Sequence, residues 1–330
     1  MLEHGGRLHA AAREYGIAVS DWLDLSTGIA PYSLALPHIP AEAWMRLPQA
    51  DDGLVAAACD YYGAASLLPV PGSQSTIQLL PRLRRGLRVG ILSPCYAEHE
   101  QAWRREGHVL CALDEARVPG SLGQLDVLVV VNPNNPSGRL LAPDQLLEWH
   151  SRLAARGGWL VVDEAFMDAT PALSLASYSH LPGLIVLRSF GKFFGLAGAR
   201  LGFVLAEAKL LGALEEALGP WPVAGPTRVL GRLLLADREA QDAQRRRLQA
   251  DSERLAQLLT ANGLAPAGGC ALFQWVLSVE APRLHECLAR QGILLRRFEQ
   301  PASLRFGLPA EEGGWSRLAD SLAQYRNIQA

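Results

Sequence analysis

The stretch that decides the fold is Leu187–Gly202, which reads LRSFGKFFGLAGARLG. Its first residue closes an apolar run, Leu184–Leu187, of the kind that forms a buried strand. Lys192 follows that run in a loop rich in glycine and phenylalanine, a poor place for a lysine that serves only solubility. Partial desolvation there favours the neutral amine, which is the form that attacks carbonyl groups. The segment therefore predicts a reactive lysine just beyond a buried strand.

Two residues flank this lysine at a spacing suited to a phosphate group. Ser189 lies three positions before Lys192, and Arg200 lies eight positions after it. A hydroxyl and a planar guanidinium together bind phosphate well, because the guanidinium can donate two parallel hydrogen bonds to it. A surface lysine beside a helix-capping serine would use the same residues, so this segment alone leaves both interpretations open.

Short apolar runs alternate with longer amphipathic segments across the middle of the chain. The predicted strands are Arg88–Leu92, Asp126–Val131, Trp159–Val162, Leu184–Leu187 and Leu201–Leu205. Continuous apolar runs suit a sheet that is covered by helices on both faces, and strand–helix alternation favours parallel pairing. We therefore expect an α/β domain whose site gathers at the carboxyl ends of the strands.

The pattern changes after about residue 208. Residues 227–262 predict one very long helix, and two strands with a helix between them follow. This α+β arrangement predicts a second, smaller domain, joined through Gly219–Pro226. The expected boundaries are an N-terminal segment 1–40 that packs with the small domain, a large domain 41–215 and a small domain 216–330.

Composition limits what the chain is expected to bind and where it acts. The formal charge of -2 gives no electrostatic reason to expect nucleic acid or a membrane surface as a partner. The five cysteines are scattered without a CxxC pair, so neither a disulfide framework nor a metal site is expected. The first residues lack the apolar core of a signal peptide, and no run approaches the roughly 20 apolar residues of a membrane span. We expect a cytoplasmic protein without a metal.

Further segments place polar groups where predicted strands end. Asp163, in WLVVDEAFMD, can pair with a protonated ring nitrogen, although a helix cap or an ion pair is a common use of such a residue. Asn132–Gly138 reads NPNNPSG, which can bind a ring oxygen or simply form a turn. Tyr96 can stack on a planar ring or pack in the core. Pro71–Ile77 precedes a helical run and offers either an anion site or an ordinary N-cap.

Together these segments resemble the fold-type I pyridoxal-phosphate enzymes, the family of aspartate and histidinol-phosphate aminotransferases. The similarity runs in order over nearly the whole chain, through the S-x-x-K-x(7)-R, D-E-A and N-P-x-x-P-[ST]-G motifs. It implies a fold-type I PLP-dependent transferase, with an α/β large domain whose mostly parallel seven-stranded sheet is flanked by helices, plus a smaller α+β domain. It also implies pyridoxal 5′-phosphate as the cofactor and a homodimer, because family members build their sites at a dimer interface.

The resemblance also assigns a role to individual residues. Lys192 would bind the cofactor covalently and move protons, Asp163 would pair with the ring nitrogen, and Tyr96 would stack on the ring; these are the expected catalytic residues. The expected cofactor-binding residues are Ser73, Gln74, Tyr96, Asn135, Asp163, Ser189, Lys192 and Arg200. The expected substrate-binding residues are His4, Gly5, Gly6, Asn135 and Arg305.

Several phrases are similar to one subgroup of this family, whose members decarboxylate L-threonine O-3-phosphate to (R)-1-aminopropan-2-ol O-phosphate in cobalamin biosynthesis. The phrases are HGGRLHAAAREYGI, LDLSTGIAP, DEAFMD, LRSFGKFFGLAGARLG and PWPVAG. In that subgroup the HGG segment, here His4 to Gly6, helps to enclose the substrate phosphate. Phe166 stands where many aminotransferases have a tyrosine that donates to the ring oxygen. We therefore expect this decarboxylation, with a small phosphorylated amino acid as the substrate.

Two alternatives stay open. One is a histidinol-phosphate aminotransferase or a related amino-acid aminotransferase, which shares most of these motifs. The other is a non-catalytic regulator that binds pyridoxal phosphate, against which the intact Lys192 segment argues. Three features depart from the subgroup pattern, and they affect the expected contacts to the substrate phosphate. They are Leu47 in place of a tyrosine, Thr27 to Ala30 in place of an asparagine-rich phrase, and Arg7 in place of an asparagine.

Overall fold

The computed structural model describes residues 4–329 of the chain, which folds into two compact units. The larger unit comprises Ser33–Asn135 and Leu140–Gln244. The smaller unit comprises residues 4–32, Pro136–Arg139 and residues 245–329. Three separate stretches of chain therefore build the smaller unit.

The larger unit is built on a seven-stranded sheet, and the smaller unit has a four-stranded and a two-stranded sheet. The strands are β1 Leu23–Asp24, β2 Leu67–Val70, β3 Arg88–Leu92, β4 Val109–Leu113, β5 Val127–Val131, β6 Trp159–Asp163, β7 Leu184–Ser189, β8 Gly202–Leu205, β9 Gly268–Cys270, β10 Phe273–Leu277, β11 Ile293–Leu294, β12 Arg296–Phe298 and β13 Ser303–Gly307.

Helices connect these strands. Within the described residues the α-helices are α1 Leu8–Tyr15, α2 Glu42–Met45, α3 Leu54–Tyr62, α4 Ser73–Leu79, α5 Ala97–Arg105, α6 Val118–Ser121, α7 Pro143–Ala154, α8 Phe190–Phe193, α9 Ala208–Leu218, α10 Gly225–Ala236, α11 Arg238–Ala261, α12 Ala281–Ala289 and α13 Glu312–Gln329. In this described part of the chain, no helix is both long and apolar enough to cross a membrane.

The large sheet has the strand order β2-β8-β7-β6-β5-β3-β4. The strands from β7 to β4 pair in parallel, whereas β8 runs antiparallel to both of its neighbours. This confirms the predicted α/β fold with a mostly parallel seven-stranded sheet. Parallel pairing brings the carboxyl ends of β3, β5, β6 and β7 to one edge, where ligands bind in sheets of this type.

The predicted strands were those at the centre of the sheet. They correspond to β3, β5, β6, β7 and β8, each within two residues of its predicted bounds. Sequence reasoning missed β2 and β4, the two edge strands. β2 contains Pro69, and a proline is tolerated at an edge because its missing N–H needs no partner there. β4 exposes Val109 to solvent, so it lacks the continuous burial that marks the inner strands.

The core of the larger unit lies on the faces of this sheet. β5 is buried along its whole length, as expected for a strand that is covered on both sides. The side chains that fill one face include Val70, Ile77, Val89, Ile91, Trp103, Val127, Val129, Val161, Ile185, Leu187, Val204 and Leu214. Burial at this density fixes the strand ends, and with them the loops that carry polar residues.

The prediction of one long helix over residues 227–262 is wrong. The chain forms α10 and α11, which are separated by Asp237 with φ -86° and ψ 81°. The side chain of Asp237 accepts a hydrogen bond from the backbone N–H of Ala240 at 3.0 Å. Aspartate is a preferred N-cap residue, so Asp237 ends one helix and begins the next.

The boundaries between the two observed units differ from the predicted domain boundaries. Residues 216–244 belong to the larger unit because α10 packs on α3, and because Arg228 of α10 pairs with Asp52 at 2.6 Å. Residues 33–40 also belong to the larger unit. Pro136–Arg139 belongs to the smaller unit. There Gly138 has φ +70° and a Cβ would meet the Gly269 carbonyl oxygen at 2.2 Å, so only glycine fits.

Candidate active site

A pocket in the larger unit lies at the carboxyl edge of the large sheet. Val131, Asp163 and Ser189, which are the last residues of β5, β6 and β7, all line it. The residues around the pocket are Gly72, Ser73, Gln74, Tyr96, Val131, Asn135, Asp163, Ala165, Phe166, Ser189, Gly191, Lys192, Ala197, Arg200 and Leu201. All eight predicted cofactor-binding residues are among them. The sheet topology therefore brings together residues that are far apart in sequence.

Lys192 lies on the short helix α8, directly after β7. The neighbouring residues Phe190 and Phe193 are buried, and the rings of Phe190 and Phe194 stack with their centroids 4.3 Å apart. This packing anchors the helix while Lys192 itself lines the pocket. Its Nζ lies 5.8 Å from the centre of the Phe166 ring. The amine therefore faces a cavity with an apolar aromatic face on one side.

Asp163 is almost completely buried at the end of β6. Its Oδ2 is 2.9 Å from Nε2 of His99, which is equally buried, and its Oδ1 accepts a hydrogen bond from the backbone N–H of Ala165 at 3.1 Å. Sequence reasoning did not identify His99. The sequence does contain one indication of its role. His99 lies on α5, one helical turn after Tyr96, so both side chains can face the same site.

Tyr96 belongs to a chain of hydrogen bonds with three other polar side chains. Its hydroxyl donates to Oε1 of Gln74 at 3.2 Å. Nε2 of Gln74 donates in turn to Glu98 at 2.9 Å, and Gln78 donates to the same carboxylate oxygen at 3.1 Å. Glu98 accepts from both amides, so the Gln74 oxygen is directed at the tyrosine. The phenol is therefore held by its hydroxyl end.

Another part of the pocket combines a cation with close-packed backbone. Gly72 has φ +76°, and a Cβ there would come within 2.8 Å of Nη2 of Arg200. A Cβ on Gly202 would come within 2.6 Å of the Ser73 backbone nitrogen. The guanidinium thus lies against the backbone that begins α4. With the hydroxyls of Ser73 and Ser189 on the same pocket, this arrangement suits a phosphate group.

Asn135 follows β5 in the Asn132–Gly138 segment and lines the same pocket. Two neighbouring asparagines have structural contacts instead. Asn132 exchanges hydrogen bonds with the backbone of Leu141, donating at 3.2 Å and accepting at 2.8 Å. Asn134 donates to the Pro94 carbonyl at 2.9 Å. The segment therefore forms a turn, which was one of its two predicted uses, and it also contributes one residue, Asn135, to the pocket.

The remaining predicted substrate-binding residues belong to the smaller unit. The backbone N–H of Gly6 donates to the Ser26 hydroxyl at 2.7 Å, and Nη2 of Arg305 donates to the Ser26 carbonyl at 3.0 Å. A Cβ on Gly5 would meet that carbonyl oxygen at 2.2 Å. Gly5, Gly6 and Arg305 are thus gathered around Ser26, a residue that sequence reasoning did not identify. His4 lines a cavity with Arg7 and Arg296 in the same unit.

Arg305 is a buried arginine of the four-stranded sheet. It lies on β13, between β12 and β10, and only 6% of its surface is exposed. Its guanidinium carbon lies 5.1 Å from the centre of the Phe273 ring. Within the described residues, no group of three or more His, Cys, Asp or Glu is arranged to hold a metal ion.

The chain belongs to the family of class I and II aminotransferases, because the model named "Aminotransferase class I and II" matches residues 47–319. It is 62% identical over 326 residues to a threonine-phosphate decarboxylase of Pseudomonas aeruginosa, covering 99% of this chain and 98% of that protein. It is 45% identical to a threonine-phosphate decarboxylase of Sinorhizobium sp, with 98% of each chain covered.

A solved structure with the same fold is the histidinol-phosphate aminotransferase of Sinorhizobium meliloti in complex with pyridoxal-5′-phosphate. The TM-score is 0.87 at 20% identity, with 100% of this chain and 96% of that chain covered. At this identity the likeness shows the fold alone. It confirms the predicted fold-type I architecture.

Proposed function

We propose that this chain is a pyridoxal-phosphate-dependent decarboxylase of L-threonine O-3-phosphate. It would release CO2 and (R)-1-aminopropan-2-ol O-phosphate, a compound used in cobalamin biosynthesis. The observation that carries the proposal is the 62% identity to a threonine-phosphate decarboxylase over 99% of the chain.

The residues of the pocket fit the cofactor. Lys192 would hold the aldehyde carbon covalently, Asp163 would pair with the ring nitrogen, and Tyr96 would cover one face of the ring. The phosphate would lie between Arg200, Ser189 and the start of α4, with Gln74 contributing backbone, and Asn135 would donate to the ring 3-oxygen. When bound, the cofactor supplies an electron sink that accepts the electron pair left at Cα.

The buried setting of Asp163 suits this task. His99 and the Ala165 N–H hold its two oxygens in place, so the carboxylate does not need to reorient when a charged partner arrives. Preorganised groups of this kind stabilise developing charge without a reorganisation cost. Phe166 has no hydroxyl, so it offers an apolar surface beside Lys192 where a tyrosine would offer a donor.

Arg305 would bind the α-carboxylate of the substrate, and the segment from His4 to Gly6 would enclose its phosphate. By holding the carboxylate, Arg305 would set which bond at Cα is oriented for cleavage. Decarboxylation requires the bond to the carboxylate to break, after which Cα takes up a proton. Lys192 Nζ, which faces the pocket, is the group that would deliver or hold that proton.

The test separates this reaction from transamination. The purified protein, loaded with cofactor, is given threonine phosphate without any keto acid, and CO2 and the phosphorylated amino alcohol are measured. We expect continuous CO2 release with retention of the cofactor. Turnover only with histidinol phosphate and 2-oxoglutarate would contradict the proposal and favour the aminotransferase. Absence of turnover with every amino acid, together with specific binding of a macromolecule, would favour the regulator.

We also propose that the active form is a homodimer. The larger unit exposes several bulky apolar side chains, among them those of Trp44, Met45, Leu47 and Trp221, which a second copy would cover. Sedimentation equilibrium should give twice the 35.7 kDa mass of one chain. A monomer with full activity would contradict the proposal.

We place the protein in the cytoplasm. All five cysteines are free, which fits a reducing compartment. Cell fractionation with an antibody against the protein tests this placement, and recovery in a secreted or membrane fraction would contradict it.

A further inference from the structure

We propose that Arg188 is a positioning residue, which joins the segments that carry Asp163 and Lys192 into one rigid side of the pocket. The inference rests on the cofactor part of the proposed function and not on the identity of the substrate. Arg188 lies on β7, directly before Ser189 and four residues before Lys192. The residue itself does not line the pocket.

The guanidinium of Arg188 bridges two carboxylates of the segment that follows β6. Nη1 donates to Oε2 of Glu164 at 2.7 Å, and Nη2 donates to Oδ1 of Asp168 at 2.9 Å. Glu164 directly follows Asp163, and Asp168 ends the same DEAFMD phrase. All three side chains of this bridge are almost completely buried. The guanidinium therefore holds the segment near both of its ends.

Each carboxylate is also held by donors other than Arg188. Oε1 of Glu164 accepts from the backbone N–H of Leu175 at 2.7 Å, and the Tyr61 hydroxyl donates to Oδ1 of Asp168 at 2.9 Å. The Arg188 guanidinium also stacks on Tyr62, with its carbon 4.6 Å from the ring centre. These contacts form one connected buried network, in which the parts hold one another in place.

The network continues the link between β6 and β7 beyond the point where strand pairing ends. The last paired residues are Asp163 and Leu187, and the backbone N–H of Glu164 donates to the Leu187 carbonyl at 2.9 Å. Past this point the two strands lead into the residues that line the pocket. Beyond the paired residues, the ion pairs of Arg188 with Glu164 and Asp168 connect the end of β7 to the segment that follows β6. Phe166 lies within that segment.

Arginine is the side chain that this cluster requires. Its planar guanidinium donates in two directions and stays charged when buried, whereas a lysine ammonium is a single point of charge. Without the cation, two carboxylates would be buried beside Asp163 with no compensating charge. Burial raises the pKa of Glu164, and the Arg188 charge opposes that rise.

The test compares cofactor binding by Arg188→Lys and Arg228→Lys. Arg228 is a matched control because it makes two short contacts to Asp52 in the same unit, at 2.6 and 2.8 Å, on elements that carry no pocket residue. Both variants are freed of cofactor, their melting temperatures are measured, and the dissociation constant of added pyridoxal 5′-phosphate is determined where both are folded.

We expect Arg188→Lys to raise that dissociation constant about tenfold or more, and Arg228→Lys to change it less than about twofold at a similar loss of melting temperature. If Arg188 only stabilised the fold, Arg188→Lys would lower the melting temperature without binding the cofactor more weakly than Arg228→Lys does. Equal dissociation constants for the two variants would therefore overturn the proposal.

A neutral variant keeps the test valid if Arg188→Lys does not fold. Arg188→Met with Glu164→Gln and Asp168→Asn removes all three charges together, so no unpaired charge is buried. We expect this protein to fold and to bind the cofactor about tenfold more weakly, because methionine cannot link the two segments. Wild-type affinity in this variant, or no folded form of either variant, would overturn the proposal. Failure of the proposed function looks different: the wild-type protein binds the cofactor and releases no CO2.

Discussion

Nε2 of His99 lies 2.9 Å from Oδ2 of Asp163, and both side chains are almost completely buried. A carboxylate oxygen only accepts, so the imidazole donates this hydrogen bond. His99 comes from α5, and Tyr96, which precedes the same helix, lines the pocket. One helix therefore supports the residue expected at the ring nitrogen and presents the residue expected on the ring face.

The first prediction concerns this pair. His99→Phe should weaken cofactor binding and slow CO2 release by about tenfold, because the loss of one hydrogen bond to a buried carboxylate costs about 1–3 kcal/mol. His99→Asn retains a donor and should lose less. His150→Phe is the control, since His150 is also buried and bonded, to the Pro182 carbonyl at 3.0 Å, but lines no part of the pocket. Equal losses for His99→Phe and His150→Phe would contradict the pairing role.

The second prediction concerns the covalent link. Lys192→Ala should bind pyridoxal 5′-phosphate without forming a bond that borohydride can fix, because no other amine lines the pocket as described. The measurement is the mass of the intact chain after borohydride reduction, with the unmodified protein treated in parallel. If Lys192→Ala gave as much borohydride-reduced adduct as the wild-type protein, Lys192 would not be the residue that binds the cofactor covalently.

The third prediction uses two glycines. Gly202→Ala should weaken cofactor binding, because the new Cβ would meet the Ser73 nitrogen at 2.6 Å and the Arg188 carbonyl at 2.9 Å, and neither backbone can move aside cheaply. Gly212→Ala, within α9, meets nothing within 4 Å. It should leave binding unchanged and stabilise the protein by about 0.5–1 kcal/mol. Titration with the cofactor and thermal unfolding of both variants test this contrast.

The fourth prediction concerns thiol reactivity. Burial, assisted by the nearby Asp163 charge, raises the pKa of Cys95 to about 12. A raised thiol pKa keeps the unreactive protonated form, so alkylation of Cys95 should be slow at pH 8 and should speed up as the pH rises toward 12. Cys111 is exposed on β4 and should be labelled first. Peptide mass spectrometry after a short iodoacetamide pulse distinguishes the two, and rapid labelling of Cys95 at pH 8 would contradict the prediction.

The inner strands and the pocket residues could be predicted because each leaves a local signal. A run such as Val127–Val131 is apolar at every position, and Lys192 stands in a motif of fixed spacing. The helix break at Asp237 carried a signal too, since aspartate is a good N-cap, but helix-forming residues on both sides of it masked the break.

The supporting residues could not be found in the same way, because their partners are distant in sequence. Arg188 directly follows the predicted strand Leu184–Leu187, and its role becomes visible only when Glu164 and Asp168 are seen beside it. Ser26 acquires its importance only when Gly6 and Arg305 both bond to it. A single sequence contains no record of such long-range pairs, whereas folding brings them within hydrogen-bonding distance.

The pairing of β1 with β11 has a consequence for how the polypeptide is made. Leu23 and Ile293 lie side by side although nearly the whole chain separates them, and Trp22 is buried with Leu294 and Ala289. Ribosomes extend a chain by about 5–20 residues per second, so the first strand waits many seconds for its neighbour. During that interval its apolar side chains are open to chaperones or to aggregation. The pairing of β1 therefore follows translation of at least the residues up to Leu294.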